Sequence, residues 1–221
     1  MFGAAALGAA AGLASMGMRP AFAQQNAISP DDALKRIMDG NARYVANTPN
    51  AQDFAAGRAA RAQGQHPVAG ILSCADSRVA PEIVFDEGLG DLFVVRVAGN
   101  TVNTDGLASM EFGHAVLGMP LIMVLGHTSC GAIDGAIGVV RDGTVLPGHL
   151  PQLVESIKPA VVTAKEKSPD DLLLEATKQN VLNSVESLST GSQILSDAIA
   201  GGKLKIVGAM YELSSGKVTM L

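Results

Sequence analysis

The 221-residue sequence has no tryptophan, only two cysteines and no cluster of basic residues. Its 16 lysines and arginines are outnumbered by 21 aspartates and glutamates, which argues against binding to nucleic acids or to anionic membranes. No Gly-x-Gly-x-x-Gly sequence precedes a predicted helix, so no dinucleotide site is indicated. Internal repeats and low-complexity segments are absent after residue 23. With 48% hydrophobic and 17% charged residues, the chain is long enough for one domain with a substantial core.

Residues 1–23 differ in composition from the rest of the chain. Alanine, glycine, leucine and methionine dominate residues 4–18, and residues 21–23 (Ala-Phe-Ala) have the small-x-small pattern of a cleavage site. We therefore predict a signal peptide over residues 1–23, a mature domain over residues 24–221 and a periplasmic or secreted location. The apolar stretch is too short and too rich in glycine and alanine for stable membrane insertion, although an uncleaved N-terminal anchor is the alternative.

Apolar runs alternate with helix-period segments along the remaining chain. This alternation predicts a single α/β domain with a central, mainly parallel sheet flanked by helices. The predicted strands cover residues 68–73, 92–97, 121–126, 204–210 and 218–221. The last strand follows a Ser-Ser-Gly turn, so we place it antiparallel at the edge of the sheet. Predicted helices cover residues 81–86, 103–117, 131–140 and 150–188.

Two helical segments are predicted before the first strand. Ser29 caps a helix that has a proline and two aspartates in its first turn, and a shorter helix is predicted over residues 51–62. Because both segments precede the sheet, they have little core of their own. We expect residues 30–62 to form an N-terminal helical arm that covers apolar surface elsewhere, with packing on the same domain as the alternative.

Both cysteines lie just after an apolar run, in residues 73–78 (Ser-Cys-Ala-Asp-Ser-Arg) and 127–131 (His-Thr-Ser-Cys-Gly). Two thiolates and one imidazole suit Zn²⁺ and leave a fourth position for water, as in catalytic zinc sites. The carboxyl ends of strands carry the ligand crevice in open α/β sheets, so we expect Cys74, His127 and Cys130 to meet there. A disulfide between the two cysteines is the alternative in an exported protein, but it needs no histidine.

Three residues beside these ligands have the chemistry of an active site. Asp76 can orient a group at the metal or ligate it, and Arg78 can keep that carboxylate ionised through a charge-assisted hydrogen bond. The alternative role for Asp76 is to cap the next helix, which requires no arginine two residues later. Gly131 opens a predicted helix directly after Cys130, so free amides favour an anion there, and the missing side chain lets an oxyanion approach closely.

These segments resemble the β-class carbonic anhydrases. The resemblance is carried by Cys74-x-Asp76-x-Arg78 and by the segment 127–131, and it extends to residues 40–44, 65–67 and 90–100, so that it covers residues 30–221. It implies zinc-dependent, reversible hydration of carbon dioxide to bicarbonate and a proton. It also implies self-association as a homodimer or homotetramer, in which the helical arm embraces a second subunit.

The resemblance assigns roles to individual residues. Asp76 would orient a zinc-bound hydroxide or, in a closed state, move onto zinc as a fourth ligand. Gln65 would hydrogen-bond bicarbonate, and Phe93 would line the carbon dioxide pocket from across the dimer interface. A solvent-exposed loop amide and an ordinary strand core residue are the simpler interpretations of Gln65 and Phe93. Ile71 stands where bicarbonate-regulated members carry tryptophan, which favours a subtype with an open resting site.

Two other functions remain open at this point. Similar folds with the same zinc ligands hydrolyse carbonyl sulfide or carbon disulfide, and the residues around the ligands do not distinguish these substrates from carbon dioxide. The other possibility is a non-catalytic zinc-holding protein. It is disfavoured because Asp76 and Arg78 are both intact.

Overall fold

A computed structural model describes residues 28–221, so the predicted signal peptide lies outside the described residues. The described chain forms one five-stranded sheet in the order β2-β1-β3-β4-β5. Its strands are β1 Ala69–Ser73, β2 Leu92–Arg96, β3 Leu121–His127, β4 Lys205–Tyr211 and β5 Val218–Met220. Strands β1 to β4 are parallel, and β5 runs antiparallel to β4 at the edge. The predicted fold class and the antiparallel edge strand are confirmed.

Nine α-helices are present among residues 28–221, and they cover both faces of the sheet. They are α1 Pro30–Val45, α2 Arg58–Arg61, α3 Pro81–Val84, α4 Thr104–Ala115, α5 Gly131–Asp142, α6 Leu150–Glu155, α7 Lys158–Glu166, α8 Leu172–Thr190 and α9 Gln193–Ala200. A short 3₁₀ turn at Ala98–Asn100 follows β2. Every helix in this part of the chain is too short or too polar to cross a membrane.

The prediction of a single helix over residues 150–188 is wrong. Pro159 and Pro169 lack a backbone N–H, and each ring would clash with the carbonyl four residues earlier in a continuous helix. The segment is therefore divided into α6, α7 and α8. Asp171 is the N-cap of α8, because its side chain accepts the N–H of Leu174. Helix α9, which was not predicted, is capped in the same way by Ser192.

The predicted helix over residues 51–62 forms only at its end, as α2. The Asp53 side chain accepts the N–H groups of Ala55 and Ala56, which closes a turn instead of a helix. Gly57 then takes a left-handed conformation with φ of 68° directly before α2. The prediction is therefore wrong for residues 51–57.

Helix α1 packs on its own domain, which is the alternative that the sequence left open. Ser29 caps it as predicted, accepting the N–H of Asp32 at 3.1 Å. Ala33 and Ile37 are fully buried in an apolar cluster on one face of the sheet, together with side chains from β1, α3 and β3. The remainder of the predicted arm, from residue 46 onward, is largely exposed.

The two faces of the sheet have separate apolar clusters. Ile71 and Met123 point to the face covered by α1 and α3, whereas Leu72 and Val124 point to the face covered by α4, α8 and α9. Burial on both faces explains why the strands are almost continuously apolar in sequence. A third cluster lies among α5, α7 and α8 and contains both cysteines.

Asn41 connects α1 to two distant parts of the chain. Its Nδ2 donates to the carbonyls of Val84 at 3.0 Å and Gly216 at 2.9 Å, and its Oδ1 accepts the N–H of Val218 at 2.9 Å. The side chain is 3% exposed, so removing it would leave three backbone groups without their partner in a buried region.

We expect Asn41→Ala to lower the free energy of unfolding by about 2 to 4 kcal/mol, because buried carbonyl and amide groups lose their hydrogen bonds. Urea denaturation followed by circular dichroism measures the change. The control is Gln193→Ala on the exposed side of α9, which should stay within about 0.5 kcal/mol of the parent protein. Equal losses in the two variants would contradict the role assigned to Asn41.

Candidate metal centre

Two adjacent parallel strands bring the three predicted ligands together. Cys74 directly follows β1, His127 is the last residue of β3, and Cys130 directly precedes α5. Because β1 and β3 are paired and parallel, their carboxyl ends meet at one edge of the sheet. The two sulfurs are 4.0 Å apart, and the potential ligand atoms of the three residues all lie within 4.8 Å of one another. All three residues are buried, with 4%, 0% and 1% exposure for Cys74, His127 and Cys130.

The short loop between His127 and Cys130 turns the second cysteine back toward the first. Thr128 fixes the start of the loop, because its N–H donates to the Tyr211 carbonyl at 3.0 Å and its hydroxyl accepts the N–H of Leu213 at 3.1 Å. Ser129 then takes a left-handed conformation with φ of 56°, which is uncommon for a residue other than glycine. The loop is therefore anchored to the end of β4.

The His127 ring presents its Nε2 atom to the two sulfurs. Its Nδ1 lies 2.9 Å from the Thr128 carbonyl, an acceptor that assigns the ring proton to Nδ1. Nε2 is buried and has no hydrogen-bond partner in residues 28–221. A buried nitrogen lone pair without a donor is costly in a protein interior, and a metal ion at this point would satisfy it.

The protonation of the cluster also favours a cation. Hydrogen bonding from Cys130 lowers the pKa of the Cys74 thiol to about 4, although burial acts in the opposite direction, and the nearby His127 ring and the Gly99 N–H add smaller contributions. The contact with Cys74, together with burial, raises the pKa of the Cys130 thiol. Burial lowers the pKa of His127, but the nearby Cys74 sulfur acts in the opposite direction, and the pKa of His127 is raised overall. The cluster therefore favours one thiolate over two, and a cation between the sulfurs would stabilise the second.

The geometry fits zinc and excludes a disulfide in this structure. Two sulfurs at about 2.3 Å from a tetrahedral zinc ion lie about 3.8 Å from each other. The observed separation of 4.0 Å is close to that value and far longer than a sulfur–sulfur bond. Both cysteines are free. The donor set of two sulfurs and one imidazole nitrogen is therefore suited to hold zinc.

Asp76 and Arg78 form a two-pronged ion pair at the edge of the cluster. Asp76 Oδ1 accepts the backbone N–H and the Nε–H of Arg78, both at 2.9 Å, and Oδ2 accepts Nη2–H at 2.7 Å. This pairing holds the pKa of Asp76 well below its usual range, against the opposing effect of burial. Oδ2 lies 3.9 Å from His127 Nε2, so an ionised carboxylate faces the ligands.

Contacts of two further residues with the cluster were not predicted from the sequence. Arg96, the last residue of β2, donates from Nε to the Cys74 carbonyl at 3.0 Å and from Nη2 to the Asp76 carbonyl at 2.6 Å. The Gly99 N–H donates to Cys74 Sγ at 3.3 Å. The position of Arg96 at the carboxyl end of a predicted strand was the available signal, since such strand ends line the crevice of a parallel sheet.

The three predicted substrate-binding residues occupy different places. Gly131 begins α5 beside Cys130 and is exposed, and a Cβ added to it would meet no atom within 4 Å. Gln65 is exposed and lines a cavity of about 300 Å³ with residues that precede β2. Phe93 pairs with Gly70 in the sheet, four residues or roughly 13 Å of strand before Cys74. Within one chain, only Gly131 lies beside the ligands.

Phe93 and Gln65 nevertheless lie on the same side of the molecule. Phe93 is on the edge strand β2, where its ring stacks on Phe112 with centroids 6.4 Å apart. The Gln65 cavity includes Leu89 and Asp91, which come just before β2. Both residues are therefore at a sheet edge that has no neighbouring strand among residues 28–221.

Comparison with known proteins gives one consistent result. A family model described as carbonic anhydrase matches residues 69–218. Carbonic anhydrase 2 of Mycobacterium tuberculosis is 42% identical over 193 residues, which cover 87% of this chain and 93% of that protein. Carbonic anhydrase of Mycolicibacterium smegmatis is 39% identical with the same coverage.

Solved structures show the same fold. The chain matches a Coccomyxa β-carbonic anhydrase in complex with acetazolamide with a TM-score of 0.67 and 28% identity, over 74% of this chain and 76% of that one. It matches the β-carbonic anhydrase CcaA with a TM-score of 0.65 and 27% identity, over 85% and 86% of the two chains.

We expect removal of the metal by a chelator to lower the melting temperature and renewed addition of zinc to restore it. A ligand present at about 1,000 times its dissociation constant stabilises a folded protein by about 4 kcal/mol. Thermal unfolding together with metal analysis measures the effect. Cys74→Ala is the control, because it lacks one ligand and should not respond to the chelator. An unchanged melting temperature after complete metal removal would contradict a structural contribution from the metal.

Proposed function

The chain belongs to the β-class carbonic anhydrase family and is a carbonic anhydrase, and we propose that Cys74, His127 and Cys130 hold the zinc ion with which it hydrates carbon dioxide. The observation that carries the proposal is the buried set of two sulfurs and one unpartnered imidazole nitrogen beside an ionised carboxylate. Zinc bound there would lower the pKa of a water at its fourth position and supply hydroxide for attack on carbon dioxide.

Asp76 is the proposed orienting residue. Each carboxylate oxygen has two acceptor sites, and Oδ1 already accepts two hydrogen bonds from Arg78. Oδ2 accepts only one from Arg78 and is the oxygen that lies 3.9 Å from His127 Nε2. The free acceptor site of Oδ2 is therefore available for the hydroxide proton. This hydrogen bond would direct a lone pair of the hydroxide oxygen at the substrate carbon.

Arg78 is proposed to keep Asp76 in this role. Its guanidinium engages both carboxylate oxygens, and Nη2 also lies 3.4 Å from the Ser129 carbonyl in the loop between the other two ligands. Arg78 thus spans both ligand-bearing segments. The same contacts oppose movement of Asp76 onto the metal, so we propose that the resting site is open, with the fourth position left to water.

The substrate side of the site is proposed to be shared between two copies of the chain. Gly131 would give bicarbonate a close approach to the first amides of α5. Gln65 and Phe93 do not reach the ligands of their own chain, but both lie at the β2 edge, where a second copy could receive them. We propose a homodimer or a larger assembly in which each chain contributes these two residues to its neighbour's site.

The cellular location is a separate proposal. Residues 1–23 have the composition of a signal peptide, and on that basis we propose export to the periplasm or secretion. Detection of a mature N-terminus at residue 24 by mass spectrometry of the secreted or periplasmic fraction would test it.

We expect Arg78→Ala to reduce turnover by about two orders of magnitude, because Asp76 is released from its orienting position. Asp76→Asn should cause a similar loss, since a neutral amide does not accept the hydroxide proton as an ionised carboxylate does. Zinc content should stay near one per chain in both variants. Stopped-flow measurement of carbon dioxide hydration between pH 7 and 9, with metal analysis, gives both quantities.

The control is Arg141→Ala, which breaks a comparable arginine–aspartate pair on the exposed surface at the far end of α5. It should leave turnover unchanged. Near-normal turnover of Arg78→Ala and Asp76→Asn would refute the orienting role and leave the pair with a structural one.

We expect two impaired variants to recover activity when they assemble together, if the site is shared as proposed. Cys74→Ser chains lack a zinc site but keep Gln65, and Gln65→Ala chains, with turnover lowered about tenfold or more, keep the zinc site. In a mixed dimer, the intact zinc site receives an intact Gln65 from its neighbour. An isolated mixed dimer then has one complete site out of two, so it should show about half of the parent activity.

Mixed assemblies isolated through two affinity tags would be assayed for carbon dioxide hydration. A mixture of Cys74→Ser with Arg78→Ala is the matched control, because both residues belong to the cluster of one chain and no intact site can form. Activity of the mixed dimer with Gln65→Ala no higher than half the residual activity of Gln65→Ala itself would argue that Gln65 does not act across an interface.

A further inference from the structure

The turn after β2 has an unusual backbone beside the metal centre. Gly99 and Asn100 are both in the left-handed region, with φ of 75° and 46°. This conformation directs the Gly99 N–H at Cys74 Sγ, which it reaches at 3.3 Å. A Cβ on Gly99 would lie 2.8 Å from the Ile157 side chain, so the position admits only glycine without rearrangement. A non-glycine residue such as Asn100 in this region is strained and needs support from its surroundings.

Helix α8 provides that support through two buried polar side chains. Asn180 Nδ2 donates to the Gly99 carbonyl at 2.7 Å, and Ser184 Oγ donates to the Asn100 carbonyl at 3.2 Å. The two residues are one helical turn apart and therefore share one face of α8. Asn180 is 2% exposed and Ser184 is 5% exposed. The Asn100 N–H also donates to the Val97 carbonyl at 2.8 Å, so the peptide between Gly99 and Asn100 is held from both sides.

We propose that Asn180 is a positioning residue for the metal centre. It holds the Gly99 carbonyl, and the N–H of the same glycine holds the sulfur of Cys74. The inference rests on the proposed function, because it assumes that Cys74 is a zinc ligand. An amide hydrogen bond to a metal-bound thiolate fixes the direction of the sulfur and withdraws electron density from it, as other contacts to ligand atoms do. Without Asn180, the Gly99 carbonyl loses its donor in a buried region and the left-handed turn loses its strongest restraint.

Thr177 offers a matched comparison on the same helix. It lies one turn before Asn180 and is 1% exposed, so it is equally buried and polar. Its hydroxyl donates to the Leu173 carbonyl at 2.7 Å within α8 and makes no hydrogen bond to the turn after β2. Thr177→Val therefore removes a buried hydrogen bond and lowers stability without altering the support of Gly99.

The test uses zinc-loaded protein and measures the rate at which zinc passes to an excess of a chromogenic chelator. We expect Asn180→Leu, which keeps the side-chain volume but has no donor, to release zinc about tenfold faster or more. Thr177→Val should release zinc within about twofold of the parent rate, even where its melting temperature falls by the same amount. In cobalt-substituted protein, the sulfur-to-cobalt charge-transfer band should shift in Asn180→Leu and stay in place in Thr177→Val.

Ser184→Ala is a milder variant, since it removes only the longer of the two hydrogen bonds from α8. It should change the release rate and the absorption band in the same direction as Asn180→Leu but less, and it decides the matter if Asn180→Leu does not fold. Parent-like zinc release and an unshifted cobalt band in folded Asn180→Leu or, if that variant does not fold, in Ser184→Ala would overturn the inference. So would equal acceleration in Asn180→Leu and Thr177→Val, because a general loss of stability would then explain both. Absence of zinc from the parent protein would instead overturn the proposed function.

Discussion

The structure depends on the pairing of β1 with β3 in a register that ends both strands at the metal centre. Ser73 is opposite Leu125, so Cys74 and His127 emerge within two residues of each other along neighbouring strands. Helix α8 must pack closely against this point, and Gly126 allows it, because a Cβ there would lie 2.5 Å from the Val181 side chain. The same close packing brings Asn180 within reach of the turn after β2. One strand register thus positions the ligands and the helix that supports them.

Charge is the second constraint on this region. Arg78 forms an ion pair with the Asp76 carboxylate, whereas Arg96 donates only to backbone carbonyls, so the charges of two thiolates would have no ion-pair partner at this buried point. Such an excess is costly in a medium of low dielectric constant unless protons or a cation compensate for it. Without metal, a proton retained on Cys130 relieves part of it, because the hydrogen bond with Cys74, followed by burial, raises the pKa of that thiol. A divalent cation with the same ligands cancels the excess.

The ligand cluster could be predicted from the sequence because each ligand lies next to the strand that positions it. Each cysteine follows an apolar strand, and parallel strands in one sheet end at the same edge. The single helix predicted over residues 150–188 was wrong although the signal is also local, since Pro159 and Pro169 break a continuous helix. The support of Gly99 by Asn180 was not readable, because the two residues are 81 positions apart and meet only when α8 packs against β3. The apolar stripe of α1 was predicted to cover a surface elsewhere, because the stripe alone does not show that it covers its own sheet.

The positions of Gln65 and Phe93 divide the proposed site into two parts with different requirements. Ligands, carboxylate and supporting arginines all belong to one chain and are held by its own strands and by α8. The two proposed substrate contacts lie at the β2 edge, and Phe93 is opposite a residue roughly 13 Å of strand before Cys74 of the same chain. The residues that could hold a metal therefore all come from one folded chain, whereas the proposed substrate pocket would need a second copy at that edge. On this arrangement, weakening self-association would lower turnover while leaving the zinc content of each chain intact.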